Sequence, residues 1–195
     1  MARKPVFVVT GPSGAGKGTL IRALLTRVPD LELAISATTR EQRAGEQDGR
    51  EYWFVSDEEF DRRVAAGEFL EWVSYVSGHR YGTLRSEIDR IRSQGRAPVL
   101  ELETKGALTV RDEVPGSVTI FVDAPTFDEL ERRLRERATE SAGEIGERLA
   151  LARQQRAQAD EFDHVVVNDD VERAADELEG IVTRELRTTA TITGP

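Results

Sequence analysis

Gly11-Pro12-Ser13-Gly14-Ala15-Gly16-Lys17 concentrates glycines and one lysine in a single short run. That combination suits phosphate chemistry. The glycines let successive backbone N–H groups turn inward on phosphate oxygens, and Lys17 adds a compact full charge for the β- and γ-phosphates of a nucleotide. The run follows an apolar, β-branched stretch, Val6–Thr10, and precedes a stretch with helical spacing, Gly18–Val28. A strand before and a helix after is the context the pattern requires, because the helix N-terminus supplies partial positive charge. Ser or Thr usually follows the lysine and ligates Mg²⁺. Here Gly18 stands in that place and Thr19 comes next, which suits a hydroxyl–phosphate contact. The residues from Gly11 to Thr19 are thus the expected ATP cradle, with Mg²⁺ held mainly by phosphates and waters.

A phosphate cradle leaves the acceptor open. Ser36-Ala37-Thr38-Thr39-Arg40-Glu41-Gln42-Arg43-Ala44-Gly45-Glu46 sets two arginines beside hydroxyls. Tyr52-Trp53-Phe54-Val55, Phe69-Leu70-Glu71 and Tyr81-Gly82-Thr83 follow. In this order and spacing the four motifs resemble the GMP-binding region of guanylate kinases, and the likeness extends to Val166-Val167-Asn168-Asp169-Asp170. Gln42 stands where that family usually has Pro, and the Gly-Lys-Gly-Thr ending of the cradle resembles adenylate kinases instead.

The resemblance implies transfer of the γ-phosphoryl group of ATP to GMP, in the recycling of GMP. Arg40 and Arg43 offer forked, charge-assisted bonds to a dianionic phosphate, and Tyr52 and Tyr81 add phenolic donors. Guanine presents N1–H and its N2 amine side by side, and an ionised carboxylate accepts from both, whereas adenine has an acceptor at N1. The resemblance gives that role to Glu71, and puts Ser36 and Thr83 at the O6 and N7 region. Glu46 and Gly82 belong to the same motifs.

Glu101 and Glu103 alternate on Val99-Leu100-Glu101-Leu102-Glu103, so they share one face at a strand end. Ligands of open α/β sheets sit at such ends. By the resemblance Glu101 lies near Mg²⁺ waters and Glu103 near the guanine amine. The family usually has Asp at both positions and Gln where Lys105 precedes Gly106, and a pair of structural carboxylates is the other reading. Arg133 and Arg137 share a helix face, and Arg148 lies beyond a polar stretch. The resemblance assigns all three to a lid that neutralises the transferring phosphoryl group, with Glu136-Arg137-Ala138 replacing the usual Gly-Arg-Gly. Asn168 is either a contact of the adenine loop or a turn residue before helix-capping acids.

These residues need a scaffold, and the chain alternates strand and helix signals. Strands are expected at Val6–Thr10, Ala97–Glu103, Ser117–Asp123 and Asp163–Val167, and helices at Gly18–Val28, Arg148–Ala159 and Val171–Leu186. This predicts an α/β fold with a parallel sheet flanked by helices, and with the resemblance it implies a P-loop NTPase-like core carrying an inserted mixed β/α GMP-binding subdomain and a lid. Residues 1–195 form one domain on this reading. Residues 1–35, 84–136 and 148–188 make the core, 36–83 the GMP-binding subdomain, 137–147 a mobile lid and 189–195 a disordered tail.

The chain has 195 residues, no Cys and a formal net charge of -9. No Cys means no disulfide framework and no thiolate metal site. The acidity argues against nucleic acid as a partner. No run approaches the ~20 apolar residues of a membrane span. A cytoplasmic enzyme acting on small nucleotides is expected, and no feature of the sequence sets an oligomeric state. Two rivals stand beside it: a kinase of the same class with AMP or a phosphorylated sugar as acceptor, and a peptide-binding module of guanylate-kinase-like shape. The latter lacks an intact cradle, which this chain has.

Overall fold

The computed structural model describes residues 4–75, 78–137 and 142–191, apart from the side chains of 137, 142–144 and 190–191. Five parallel strands form the central sheet: β1 (Phe7–Thr10), β2 (Leu31–Leu33), β7 (Ala97–Glu101), β8 (Val118–Asp123) and β9 (His164–Val167), in the order β2-β7-β1-β8-β9. Every pairing is parallel, with Phe7 opposite Val99 on one side and Val118 on the other. A parallel sheet is covered on both faces, so its strands read as unbroken apolar runs. β1 is buried throughout. Phe7 and Val9 face one core layer, with Val99, Ile120 and Val122. Val6 and Val8 face the other, with Leu100 and Phe121.

Helices close both layers. α1 (Lys17–Arg27) buries Leu20, Ile21 and Leu24 and ends at Val28, before Pro29. α7 (Val171–Thr191) packs against it, burying Ala174, Ala175, Leu178, Ile181 and Val182. These positions recur at helical spacing, so one stripe of the helix is apolar. α7 runs to Thr191, so residues 189–191 of the expected disordered tail continue the helix, and 192–195 lie outside the described residues. α4 (Thr104–Glu113), α5 (Phe127–Arg137) and α6 (Ala142–Arg156) complete the crossovers. Residues 142–147 of the expected lid are the first turns of α6, while 138–141 lie outside the described residues.

The inserted segment builds a second, mixed sheet from β3 (Ala37–Thr38), β4 (Trp53–Phe54), β5 (Phe69–Ser74) and β6 (Arg80–Leu84), in the order β4-β3-β6-β5. Its own small core is Ala37, Phe60, Phe69 and Leu84, with Phe60 supplied by α2 (Asp57–Ala65). Ser56 caps α2 by accepting from the Glu59 N–H at 3.2 Å. This sheet joins the first through α3 (Arg85–Ser93), whose buried Glu87 accepts from the Ile35 N–H at 3.1 Å. Among the described residues no helix is long and apolar enough to cross a membrane.

Candidate active site

β1 lies between β7 and β8 at the centre of the sheet, and its carboxyl end opens on the crevice where such sheets bind ligands. The loop leaving β1 curls into α1. Gly16 takes φ 92° as the residue preceding α1. A Cβ there would also lie 2.3 Å from Asn168 Nδ2, so both backbone and space require glycine. α1 has no side-chain cap and no acidic residue in its first turn. The N–H groups that open α1 therefore have no side-chain cap of their own.

Lys17 Nζ donates to the carbonyls of Gly11 (2.8 Å) and Pro12 (3.1 Å), which arches the lysine back over its own loop. Burial lowers the Lys17 pKa below the usual lysine range, and the charges of Glu101 and Glu103 oppose that shift. Two buried side-chain atoms without a hydrogen-bond partner, among the described residues, border this loop: Thr10 Oγ1 just before it and Asn168 Oδ1 beneath it. Asn168 Nδ2 donates to the Ala15 carbonyl at 2.8 Å. The side chain is 3% exposed and turned into the protein, against the loop. Arg148 donates to Ser13 Oγ at 2.6 Å, and Arg133 to the Asn168 carbonyl at 3.0 Å. Two of the three expected lid arginines are thereby brought to the cradle, while the Arg137 side chain lies outside the described residues. Thr19 accepts from Arg22 at 3.3 Å.

A cleft of about 550 Å³ runs from Lys17 to the second sheet. Ser36, Tyr52, Glu71, Tyr81, Gly82, Glu101 and Glu103 all line it. Glu71 reaches the cleft because β5 carries a bulge. Phe69 pairs with Leu84 but Glu71 with Thr83, so one extra residue sits between them. The bulge sets Phe69 and Trp72 together against Phe60 and leaves Glu71, Val73 and Tyr75 on the cleft side. Glu71 Oε1 accepts from Thr83 Oγ1 at 2.8 Å and from the Thr83 N–H at 3.0 Å. Burial raises the Glu71 pKa above the ordinary carboxylate range, against those two bonds.

Arg40 Nη2 donates to both Glu46 carboxylate oxygens, at 2.8 and 3.0 Å, and Glu46 also accepts from the Arg43 N–H at 2.8 Å. Glu46 thus organises the arginine loop. Hydrogen bonding from Arg40, then from the Arg43 backbone, holds its carboxyl below the usual range. The Arg40 guanidinium also lies over Tyr52, 5.3 Å from the ring centre.

Glu101 ends β7, whereas Glu103 precedes α4, so the two glutamates are not neighbours on one strand face as the alternation suggested. Both nevertheless reach the cleft. Glu103 accepts from Gln155 Nε2 at 2.7 Å and from the Tyr75 hydroxyl at 3.4 Å. Sequence reasoning missed both partners. Strand alternation from Glu71 through Val73 was a signal for Tyr75. Nothing local marked Gln155, which is buried on α6. All three tyrosines of the chain, Tyr52, Tyr75 and Tyr81, therefore meet on one wall, with Tyr81 5.7 Å from Tyr52 and 5.2 Å from Tyr75.

A sequence model of the guanylate kinase family, described as "Guanylate kinase", matches residues 2–185. The chain belongs to the guanylate kinase family. It is 50% identical over 184 residues to the guanylate kinase of Rubrobacter xylanophilus, covering 94% of this chain and 96% of that protein. It is 45% identical over 188 residues to that of Symbiobacterium thermophilum, covering 95% and 89%. In three dimensions it is similar to the crystal structure of guanylate kinase from Anaplasma phagocytophilum, with a TM-score of 0.75 at 28% identity over 95% of this chain and 88% of the other. The matched residues span the phosphate loop and all four acceptor motifs.

Proposed function

We infer that this chain transfers the γ-phosphoryl group of ATP to GMP, giving ADP and GDP, the reaction of its family. One observation carries the residue-level reading. Lys17 of the phosphate loop and Glu71, a carboxylate set for a donor pair, line the same cleft.

On this reading the loop from Gly11 to Thr19 holds the ATP phosphates and Lys17 neutralises the β- and γ-oxygens. Arg40 and Arg43 hold the GMP phosphate with the Tyr52 and Tyr81 hydroxyls. Glu71 accepts from guanine N1–H and the N2 amine, Thr83 and Ser36 meet the other base edge, and Glu103 lies by the amine. Glu46 acts through Arg40. The acceptor phosphate is already ionised at neutral pH, so no general base is needed. Catalysis is then positioning plus neutralisation of the equatorial oxygens, with Arg133, Arg137 and Arg148 adding charge and excluding water.

Mg²⁺ fits the donor set. Glu101 is an exposed carboxylate at the end of β7, beside the loop: a Cβ on Gly18 would lie 3.8 Å from Glu101 Oε2. A hard cation bound through phosphates and waters needs only such an outer carboxylate. When bound, it withdraws charge from the β- and γ-phosphates.

The test is an acceptor panel with Mg·ATP. ADP formation dependent on GMP is expected; equal rates with AMP, CMP and UMP defeat the guanine assignment.

A further inference from the structure

Gly106 sits in the first turn of α4, where nothing in the helix calls for glycine. It has no left-handed φ, and glycine is a poorer helix former than alanine. Its reason lies across the subdomain boundary. A Cβ on Gly106 would lie 2.8 Å from Glu71 Oε2, 3.4 Å from Cδ and 3.6 Å from Cγ. The Glu71 carboxylate therefore occupies the space that a side chain at 106 would take. Its other oxygen is held by both donors of Thr83. Glu71 is 8% exposed, so it is clamped from two sides.

We propose that Gly106 is a positioning residue for guanine selectivity: its missing side chain sets how deeply the Glu71 carboxylate is seated in the acceptor cleft. The proposal rests on the reading of Glu71 as the guanine acceptor. A methyl group at 106 is too close to Oε2 to be accommodated without movement. The helix backbone is rigid, and the carboxylate, though held by Thr83, is the far end of a flexible side chain, so the carboxylate moves. Glu71 and Gly106 also line a second cavity of about 270 Å³, with Trp72, Lys105 and Thr109. That space lets the displaced side chain relax without disturbing the core. The cost of the methyl group thus falls on substrate geometry and not on folding, which separates this role from ordinary packing.

The experiment is Gly106→Ala, measured alone and in a Glu71→Gln background. Steady-state KM is read for GMP and for ATP, together with the thermal midpoint. The single variant is expected to raise KM for GMP about tenfold, below the ~100-fold that a 1 Å misplacement can cost. KM for ATP and the thermal midpoint are expected to hold or, for the midpoint, to rise, as alanine suits a helix better. In the Glu71→Gln background the same change is expected to add less than about twofold, because residues acting through one another are not additive. An unchanged KM for GMP in Gly106→Ala overturns the proposal. So does a tenfold rise that persists in the Glu71→Gln background, or a variant that unfolds, since either shows a role independent of the carboxylate. If Glu71→Gln by itself leaves KM for GMP unchanged, the guanine reading of Glu71 falls, and the proposal with it.

Discussion

Asn168 Nδ2 donates to the carbonyl of Ala15 at 2.8 Å, tying the end of β9 to the underside of the phosphate loop across 153 residues of sequence. The same residue accepts from Arg133 through its own carbonyl, and its backbone N–H donates to the Asp123 carbonyl at 2.8 Å. Its buried amide thus supports loop shape. Asn168→Ala is expected to weaken ADP and inorganic tripolyphosphate by the same factor, about fivefold for a hydrogen bond worth ~1 kcal/mol. Calorimetric titration of both probes checks this. Loss confined to ADP shows instead that the side chain contacts the adenine.

Glu46 engages Arg40 through both oxygens and the Arg43 backbone through one. Replacing it by Gln removes the charge that orients the Arg40 guanidinium. Glu46→Gln is expected to raise KM for GMP by about three- to tenfold, as for a charge-assisted bond partly lost, with KM for ATP unchanged. Initial rates at varied GMP and ATP measure the split. Equal changes for both substrates contradict a role confined to the acceptor loop.

The raised pKa of Glu71 gives two pH-dependent outcomes. Burial disfavours the charged form, yet pairing with two guanine donors requires it. The acidic limb of kcat/KM for GMP is therefore expected above the ordinary carboxylate range and absent in Glu71→Gln. The stability effect has the opposite sense. The folded state holds this proton more tightly than the unfolded chain. Stability therefore falls as pH rises from the unfolded-state value through the higher folded-state value. Glu71→Gln, which keeps an acceptor for Thr83, is expected to melt no lower than the parent at neutral pH. Activity and melting profiles across the acidic range test both.

Burial pulls the Lys17 pKa down, while Glu101 and Glu103 hold it up. Removing one of those charges moves it further down. Glu101→Gln is expected to shift the basic limb of kcat to lower pH and to raise the Mg²⁺ concentration needed for half-maximal rate. Lys17→Met is expected to lower kcat by at least ~100-fold, the usual cost of one electrostatic stabiliser, with circular dichroism unchanged. A basic limb that stays in place in Glu101→Gln separates the two groups.

Much of this site is readable from the chain because its parts are locally encoded. The cradle proposed for Gly11 to Lys17 relies on consecutive backbone N–H groups, so contiguous residue types suffice to specify it. The Arg40–Glu46 loop likewise closes on itself within a few residues. The core strands are legible as apolar runs because parallel strands are buried on both faces. β2 was missed, being three residues at the sheet edge with one fully buried side chain. The start of α6 is not legible as helix because the glycines at 143 and 146 weaken a helical pattern.

Tertiary structure decided everything that depends on residues distant in sequence. The bulge in β5 turns Glu71 towards the cleft, whereas strict two-residue alternation would put it on the same face as Phe69. Gly106 under Glu71, Gln155 and Tyr75 on Glu103, and Asn168 under Ala15 pair groups on different elements. Backbone spacing encodes which face a side chain takes, but contact between elements is set by how their cores pack. The residue types of the two loops are therefore visible in the sequence, and the contacts that reach them from other elements are not.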